Sequence, residues 1–297
     1  MRKLAALYLA ATALLTTQVN AEVIHSERSL YRNILVEENG DLRCLKFDEK
    51  TRMSSQSCMY ISKPKQLVFN YTKLTFASLL MIEDPKNVLI IGLGGGTLSN
   101  VIHELYPDAI IENVEIDPAV IKVARDYFAF VENDKVTSKV QDGRIFIKRA
   151  AIKKQQYDWV ILDAFNGDYI PEHLLTKEFF EEIKSVLSPN GIVAANTFSS
   201  SKLYQHESAT YHAVFGDFIN VSTAKNSNRI ILAGYEHMPT EQQLASRIAK
   251  LSPLLSPYGI DLHTISKGMA STKDNQDWPA DTKVLTDQYS PANLLNF

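Results

Sequence analysis

The pattern of apolar and polar positions changes character twice along the chain. Residues 4–15 are an almost unbroken apolar run. Short alternating segments follow at 32–37, 42–47 and 58–61, with Asn39-Gly40 as a hairpin turn between the first two. Alternation of this kind predicts half-buried antiparallel strands, here a small β-domain over 22–70. Residues 71–82 carry apolar positions at helical spacing and predict a connecting helix, broken by Asp84-Pro85. From Val88 onward the strands are continuously apolar, the signature of a parallel sheet buried on both faces. Strands are predicted at 88–91, 109–114, 135–140, 159–162 and 192–196, with helices at 97–106, 119–128, 176–187 and 204–215. A closing antiparallel pair is predicted at 218–222 and 229–233. The fold class is therefore α/β: a Rossmann-like, methyltransferase-type doubly wound sheet preceded by a small antiparallel β-domain. The expected divisions are a leader over 1–21, the β-domain and connecting helix over 22–84, the α/β domain over 85–240, and a C-terminal extension over 241–297 packed on it.

The leader changes the compartment. Arg2 and Lys3 precede the 12-residue apolar run, and Val19-Asn-Ala21 places small residues before a cut after Ala21. This is the pattern of a secretory signal peptide. The run is too short to span a bilayer core of about 30 Å. The expectation is an exported protein, periplasmic or secreted, with no stable membrane insertion after cleavage. An oxidising compartment permits a disulfide. The two cysteines, Cys44 and Cys58, lie in strand-like segments around a turn-like stretch at 48–51, so a hairpin centred near residue 51 sets them face to face.

Composition removes several classes. The 297 residues include 31 Lys plus Arg against 34 Asp plus Glu, a net charge of −3. No basic excess exists to neutralise a phosphate backbone, so nucleic acid is not an expected partner. The seven histidines show no i,i+4 pair and no cysteine partner, so no metal is expected. No Gly-x-Ser-x-Gly elbow accompanies Ser199-Ser-Ser201.

Suggestive residues end four successive strands. Gly92-Leu-Gly-Gly-Gly-Thr97 follows the first, and such a turn lets a ligand approach the backbone at a helix N-terminus. Glu115 ends the second, where a carboxylate can accept both hydroxyls of a ribose. Asp142-Gly143 ends the third, where an aspartate can accept from an adenine amine. Asp163 ends the fourth. Singly, each has an ordinary structural role as a packing turn, a solvated strand end or a helix cap. Together they point to an adenosine-type ligand with a sulfonium tail.

These residues resemble the polyamine aminopropyltransferases, the spermidine synthase family. The resemblance rests on the 88–125 region with the glycine turn and Glu115-Ile-Asp117, on Gln141-Asp-Gly143, and on Tyr157-Asp-Trp-Val-Ile-Leu-Asp163. It extends to Glu27-Arg-Ser-Leu-Tyr31-Arg-Asn-Ile and to the tail Leu285-Thr-Asp-Gln-Tyr-Ser-Pro291. It implies decarboxylated S-adenosylmethionine, or S-adenosylmethionine itself, as co-substrate and a small-molecule amine as acceptor. By that resemblance Gly92, Gly94, Gly95, Glu115, Asp142, Gly143 and Gln56 bind the nucleoside donor. Tyr31, Tyr71 and Asn166 face the substrate, and Asp163, with Asp168 as the second acid, does the chemistry. A homodimer is also in keeping with it.

The chain departs from the family pattern in three places. The glycine turn holds no acid between Gly92 and Thr97. The family's second acid after Asp163 is an amide, Asn166, with Asp168 two residues on. A Pro-x-Tyr-Pro-x-Gly segment is replaced by residues 223–229. With Asn166 beside it, Asp163 is free of like-charge repulsion and is expected to be ionised near neutral pH. A methyltransferase using intact S-adenosylmethionine and a non-catalytic nucleoside-binding protein are the alternative readings.

Overall fold

The computed structural model describes residues 21–47, 55–165, 170–223, 228–235 and 238–290. The small sheet comes first in the chain. Strands β1 (Glu22–Arg28), β2 (Asn33–Asn39), β3 (Leu42–Phe47) and β4 (Ser55–Tyr60) pair antiparallel in the order β1-β2-β3-β4. The β2–β3 hairpin closes Asn39 on Leu42 through Gly40, whose φ of 60° is the left-handed conformation that glycine adopts without strain. Cys44 stands opposite Cys58, and the two are joined as a disulfide. The turn between them lies outside the described residues. Strand β1 was not predicted: its seven residues alternate weakly and leave Val23 half exposed, so periodicity gives no signal.

Helix α1 (Asn70–Thr75) passes directly into a 3-10 turn, Phe76–Leu80, where one continuous helix was expected. All five residues of that turn are buried, and Phe76 meets the edge of Trp159 with ring centroids 5.8 Å apart. Packing against the large sheet sets the backbone here.

The large sheet follows: β5 (Asn87–Ile91), α2 (Thr97–Leu105), β6 (Ile110–Glu115), α3 (Pro118–Tyr127), β7 (Val136–Val140), α4 (Gly143–Ile152), β8 (Tyr157–Leu162), α5 (Lys177–Ser185), β9 (Leu187–Phe198), α6 (Tyr204–Phe215), β10 (Ile219–Val221) and β11 (Asn228–Ala233). Helices α7 (Glu241–Leu255) and α8 (Leu262–Ser266) lead to the short strand β12 (Met269–Ser271). The strand order is β12-β10-β11-β9-β8-β5-β6-β7. Strands β7, β6, β5, β8 and β9 run parallel, and β11, β10 and β12 continue the sheet antiparallel. The α/β class and the doubly wound order are as the pattern predicted. Strand β9 begins earlier than expected: Tyr157 pairs with Leu187, the ladder then jumps, and Trp159 pairs with Ile192. Residues 188–191 absorb the jump, so the Pro189-Asn-Gly191 turn signal sits inside the strand.

Chain order reverses between β5 and β8, the switch point at which doubly wound sheets bind ligands beyond the carboxyl ends of their strands. Two apolar layers hold that crevice in place. One, with Ile90, Ile102, Trp159 and Ile230, lies on the α2 side; the other, with Leu89, Phe146, Phe180 and Tyr211, lies beneath α4, α5 and α6. Trp278 stacks on Phe218 at 5.6 Å and ties down the C-terminal segment. The tail is fixed further by Asp287, which accepts from Arg144 and from Thr176.

Candidate active site

A cavity of about 550 Å³ opens at the switch point. Its walls come from the small sheet, α1 and the carboxyl ends of β5, β6, β7, β8 and β9. It brings together Gly92, Gly94, Glu115, Asp142, Gly143, Gln56, Tyr31, Tyr71 and Asp163 from the predicted set. Asn166 and Asp168 lie outside the described residues. Gly95 does not line the cavity; a Cβ there would sit 2.7 Å from Ser57 Oγ and 3.0 Å from the Phe128 ring. Its place is the seam where β4 and α3 meet the glycine turn, which leaves no room for a side chain.

At one end stands Glu115. Its Oε2 accepts from the Leu93 amide at 3.1 Å and its Oε1 from the Asp117 amide at 3.1 Å. The carboxylate thus ties the glycine turn to the β6–α3 junction. Burial pushes the Glu115 carboxyl up from its ordinary value, and the two amides and the Arg32 charge oppose that push. Asp117 caps α3 through the Ala119 amide and accepts from Ser29 Oγ at 2.5 Å, which fastens the small sheet to the same junction.

Asp142 has two partners. Its Oδ1 caps α4 by accepting from the Ile145 amide at 2.9 Å, and its Oδ2 meets His173 Nε2 at 2.9 Å. The capping role and the position on the cavity wall coexist. His173 was not singled out in the sequence, because its 3-10 turn, Glu172–Leu174, carries no periodic signal.

Asp163 follows β8 at the opposite end. Asn196 Nδ2 donates to its Oδ1 at 2.9 Å, and the Tyr71 hydroxyl donates to its Oδ2 at 3.3 Å. Asn228 Nδ2 in turn donates to Asn196 Oδ1 at 3.0 Å. The carboxyl faces the cavity and is enclosed by protein on its other sides. Burial pushes its pKa up to about 7, against the two hydrogen bonds that favour the charged form. This corrects the expectation of an acid fully ionised at neutral pH: removing a neighbouring acid does not offset desolvation. The Tyr71 phenol is likewise held well above its ordinary value, by burial and then by the Asp163 charge.

Sequence reasoning missed Arg32, Asn196 and Asn228. Arg32 packs its guanidinium over the Phe47 ring at 4.2 Å and donates to the Phe165 carbonyl at 3.5 Å. Asn228 begins β11 and Asn196 lies two residues inside the end of β9, so each reads in the sequence as an ordinary strand or turn residue. Aromatic rings complete this end, with Phe69 stacked on Tyr71 at 5.7 Å and Phe165 edge-on to Phe198 at 5.2 Å. Among the described residues no group of three His, Cys, Asp or Glu side chains is placed to hold a metal ion.

A glycine-turn crevice with a carboxylate beyond each of β6, β7 and β8 defines the class: a nucleoside-binding transferase fold of the methyltransferase type. Comparison with known proteins narrows it. The spermine/spermidine synthase domain matches residues 69–225. A polyamine aminopropyltransferase of Vibrio vulnificus is 44% identical over 275 residues, covering 92% of this chain and 91% of that protein. A probable spermidine synthase from Corynebacterium glutamicum superposes with a TM-score of 0.68 over 90% of this chain and 97% of that one, at 20% identity. A spermidine synthase in complex with the transition-state analogue AdoDATO superposes with a TM-score of 0.60 over 92% and 84% of the two chains, at 17% identity. The chain belongs to the spermine/spermidine synthase family, and it is a transferase of that family.

Proposed function

We propose that the protein transfers the aminopropyl group of decarboxylated S-adenosylmethionine to a small amine, a step of polyamine biosynthesis. The observation that carries the reading is Asp163: a partly desolvated carboxylate, aimed by Tyr71 and Asn196, in one cavity with Glu115 and Asp142. Glu115 takes the ribose hydroxyls, and Asp142 with His173 borders the adenine. The amine nitrogen attacks the propyl carbon bonded to sulfur. That carbon–sulfur bond breaks, its electron pair stays on sulfur, and methylthioadenosine leaves as a neutral thioether. The proton released by the nitrogen passes to Asp163, whose pKa of about 7 suits a base working near neutrality. The sulfonium is already a good leaving group, so positioning supplies most of the acceleration.

One observation favours a second reading, methyl transfer from intact S-adenosylmethionine. The glycine turn carries no acid to gather a donor amine, while Arg32 brings a cation to the cavity wall. Calorimetry with decarboxylated and intact S-adenosylmethionine separates the two. Selective binding of the decarboxylated donor supports aminopropyl transfer; selective binding of the intact one supports methyl transfer.

We also propose that the chain is exported. The leader pattern over 1–21, the first strand starting at Glu22 and the Cys44–Cys58 disulfide support this together. Fractionation of expressing cells, followed by N-terminal sequencing, should find Glu22 as the first residue of the exported form. Full-length protein confined to the cytoplasm would refute export.

A further inference from the structure

The hydrogen bonds behind Asp163 form a chain with a fixed direction. An ionised carboxylate only accepts, so the Asn196 amide must turn its Nδ2 toward Asp163, as it does at 2.9 Å. Its Oδ1 then faces the other way and needs a donor. Asn228 Nδ2 supplies it at 3.0 Å. The two asparagines reach each other because of strand register: Asn196 pairs with Ile230 and Asn228 with Phe198, which makes them diagonal neighbours on one face of the β9–β11 ladder.

The opposite face of β11 keeps Asn228 in place. Arg229, 1% exposed, donates to Thr197 Oγ1, Ser208 Oγ and Glu207 Oε2, and its guanidinium lies 3.8 Å from the Tyr204 ring centroid. A residue anchored that firmly leaves its neighbour little freedom to turn away from the cavity.

We propose that Asn228 and Asn196 are positioning residues: they form a directed amide chain that aims the Asp163 carboxylate at the acceptor amine and keeps it in the proton-accepting state. The proposal rests on the reading of Asp163 as the group that meets the amine. If Asn228 loses its donor, the Asn196 amide is free to flip and present its oxygen to Asp163. An oxygen there tolerates the protonated carboxyl and repels the carboxylate. The chain therefore sets the proton affinity of Asp163 from two residues away. Tyr71 on α1 is the titratable group that touches Asp163. Tyr31, Arg32, Glu115, Asp142 and His173 are the other titratable or charged side chains among the described residues lining the same cavity.

The test is a carbon-13 titration of the full chain carrying carboxyl-labelled aspartate, with the Asp163 signal assigned by its loss in Asp163→Asn. Wild type should titrate near pH 7. Asn196→Ala and Asn228→Ala should each move the midpoint upward by about half a unit to one unit. Asn228→Leu, close in volume and without a donor, should do the same and serves where the alanine variant fails to fold. The acid limb of kcat/KM should move with it. Folded variants that titrate Asp163 at the wild-type midpoint would overturn the chain. A moved midpoint with an unmoved kcat/KM profile would overturn its part in the reaction. Absence of turnover in wild type would refute the transfer reading itself, and the titration would still decide the chain.

Discussion

A Cβ placed on Gly92 would lie 2.3 Å from the carbonyl oxygen of Asp163. The two residues end neighbouring parallel strands, and the Asp163 amide donates to the Ile91 carbonyl at 2.8 Å. Gly92 also holds φ at 93°, a conformation that side chains resist. The glycine thus lets β5 and β8 close together at the switch point, and so sets the distance between the nucleoside turn and the reacting carboxylate.

Gly92→Ala should therefore cost about 2–4 kcal/mol of stability, from strain and displaced backbone together. Urea unfolding measures it. A variant as stable as wild type would show that the two strand ends separate freely and that this contact does not fix the site.

Glu115 holds two backbone amides as well as the proposed ribose. Glu115→Ala should weaken methylthioadenosine binding by about 1–3 kcal/mol, since the ligand hydroxyls lose their acceptor. Calorimetry on the folded variant checks this. Unchanged affinity would remove Glu115 from the binding site and leave it a loop tie only.

The Cys44–Cys58 bridge closes a loop with a sequence separation of 14 residues. The chain-entropy estimate for such a loop is about 3 kcal/mol. The double variant Cys44→Ala, Cys58→Ala should lose stability of that order. Ser57, next to Cys58, packs against the glycine turn, so methylthioadenosine affinity should fall as well. Unfolding curves and calorimetry of the double variant read both effects. Equal stability would mean that the hairpin holds without its bridge.

Much of this was legible in the sequence because the parallel core is written in continuous apolar runs. Strands at 88–91 and 159–162 and the helix at 204–215 emerge with their ends nearly in place. The carboxylates Glu115, Asp142 and Asp163 were legible for a related reason: topology puts the carboxyl ends of the parallel strands on one rim. Asn196, Asn228, Arg32 and His173 were not. Their importance comes from contacts between β9 and β11, from the Phe47 ring and from a 3-10 turn, and none of these has a period. The raised proton affinity of Asp163 was also hidden, because it follows from enclosure by Tyr71, Asn196 and the cavity wall rather than from nearby sequence charges.

The enclosed carboxyl makes two pH predictions. A carboxyl raised from 3.8 to about 7 in the folded state penalises folding as pH rises through that window, and the penalty is complete above it. Asp163→Asn should then stabilise the protein at pH 8 by roughly 1–3 kcal/mol and change little at pH 4, as denaturation at the two values will show. In the wild-type enzyme, kcat/KM should rise with pH through about 7 as Asp163 loses its proton. A flat profile between pH 6 and pH 8, bracketing about 7, would rule out Asp163 as the titrating base.

The most direct measurement is product analysis with purified protein, decarboxylated S-adenosylmethionine and putrescine. Methylthioadenosine and the aminopropylated amine should appear in equal amounts. Asp163→Asn should lower their rate by about 10²–10⁴-fold while still binding methylthioadenosine. If wild type forms neither product from this donor, with putrescine or with other small amines, aminopropyl transfer is contradicted; S-adenosylhomocysteine formed from the intact donor would put methyl transfer in its place.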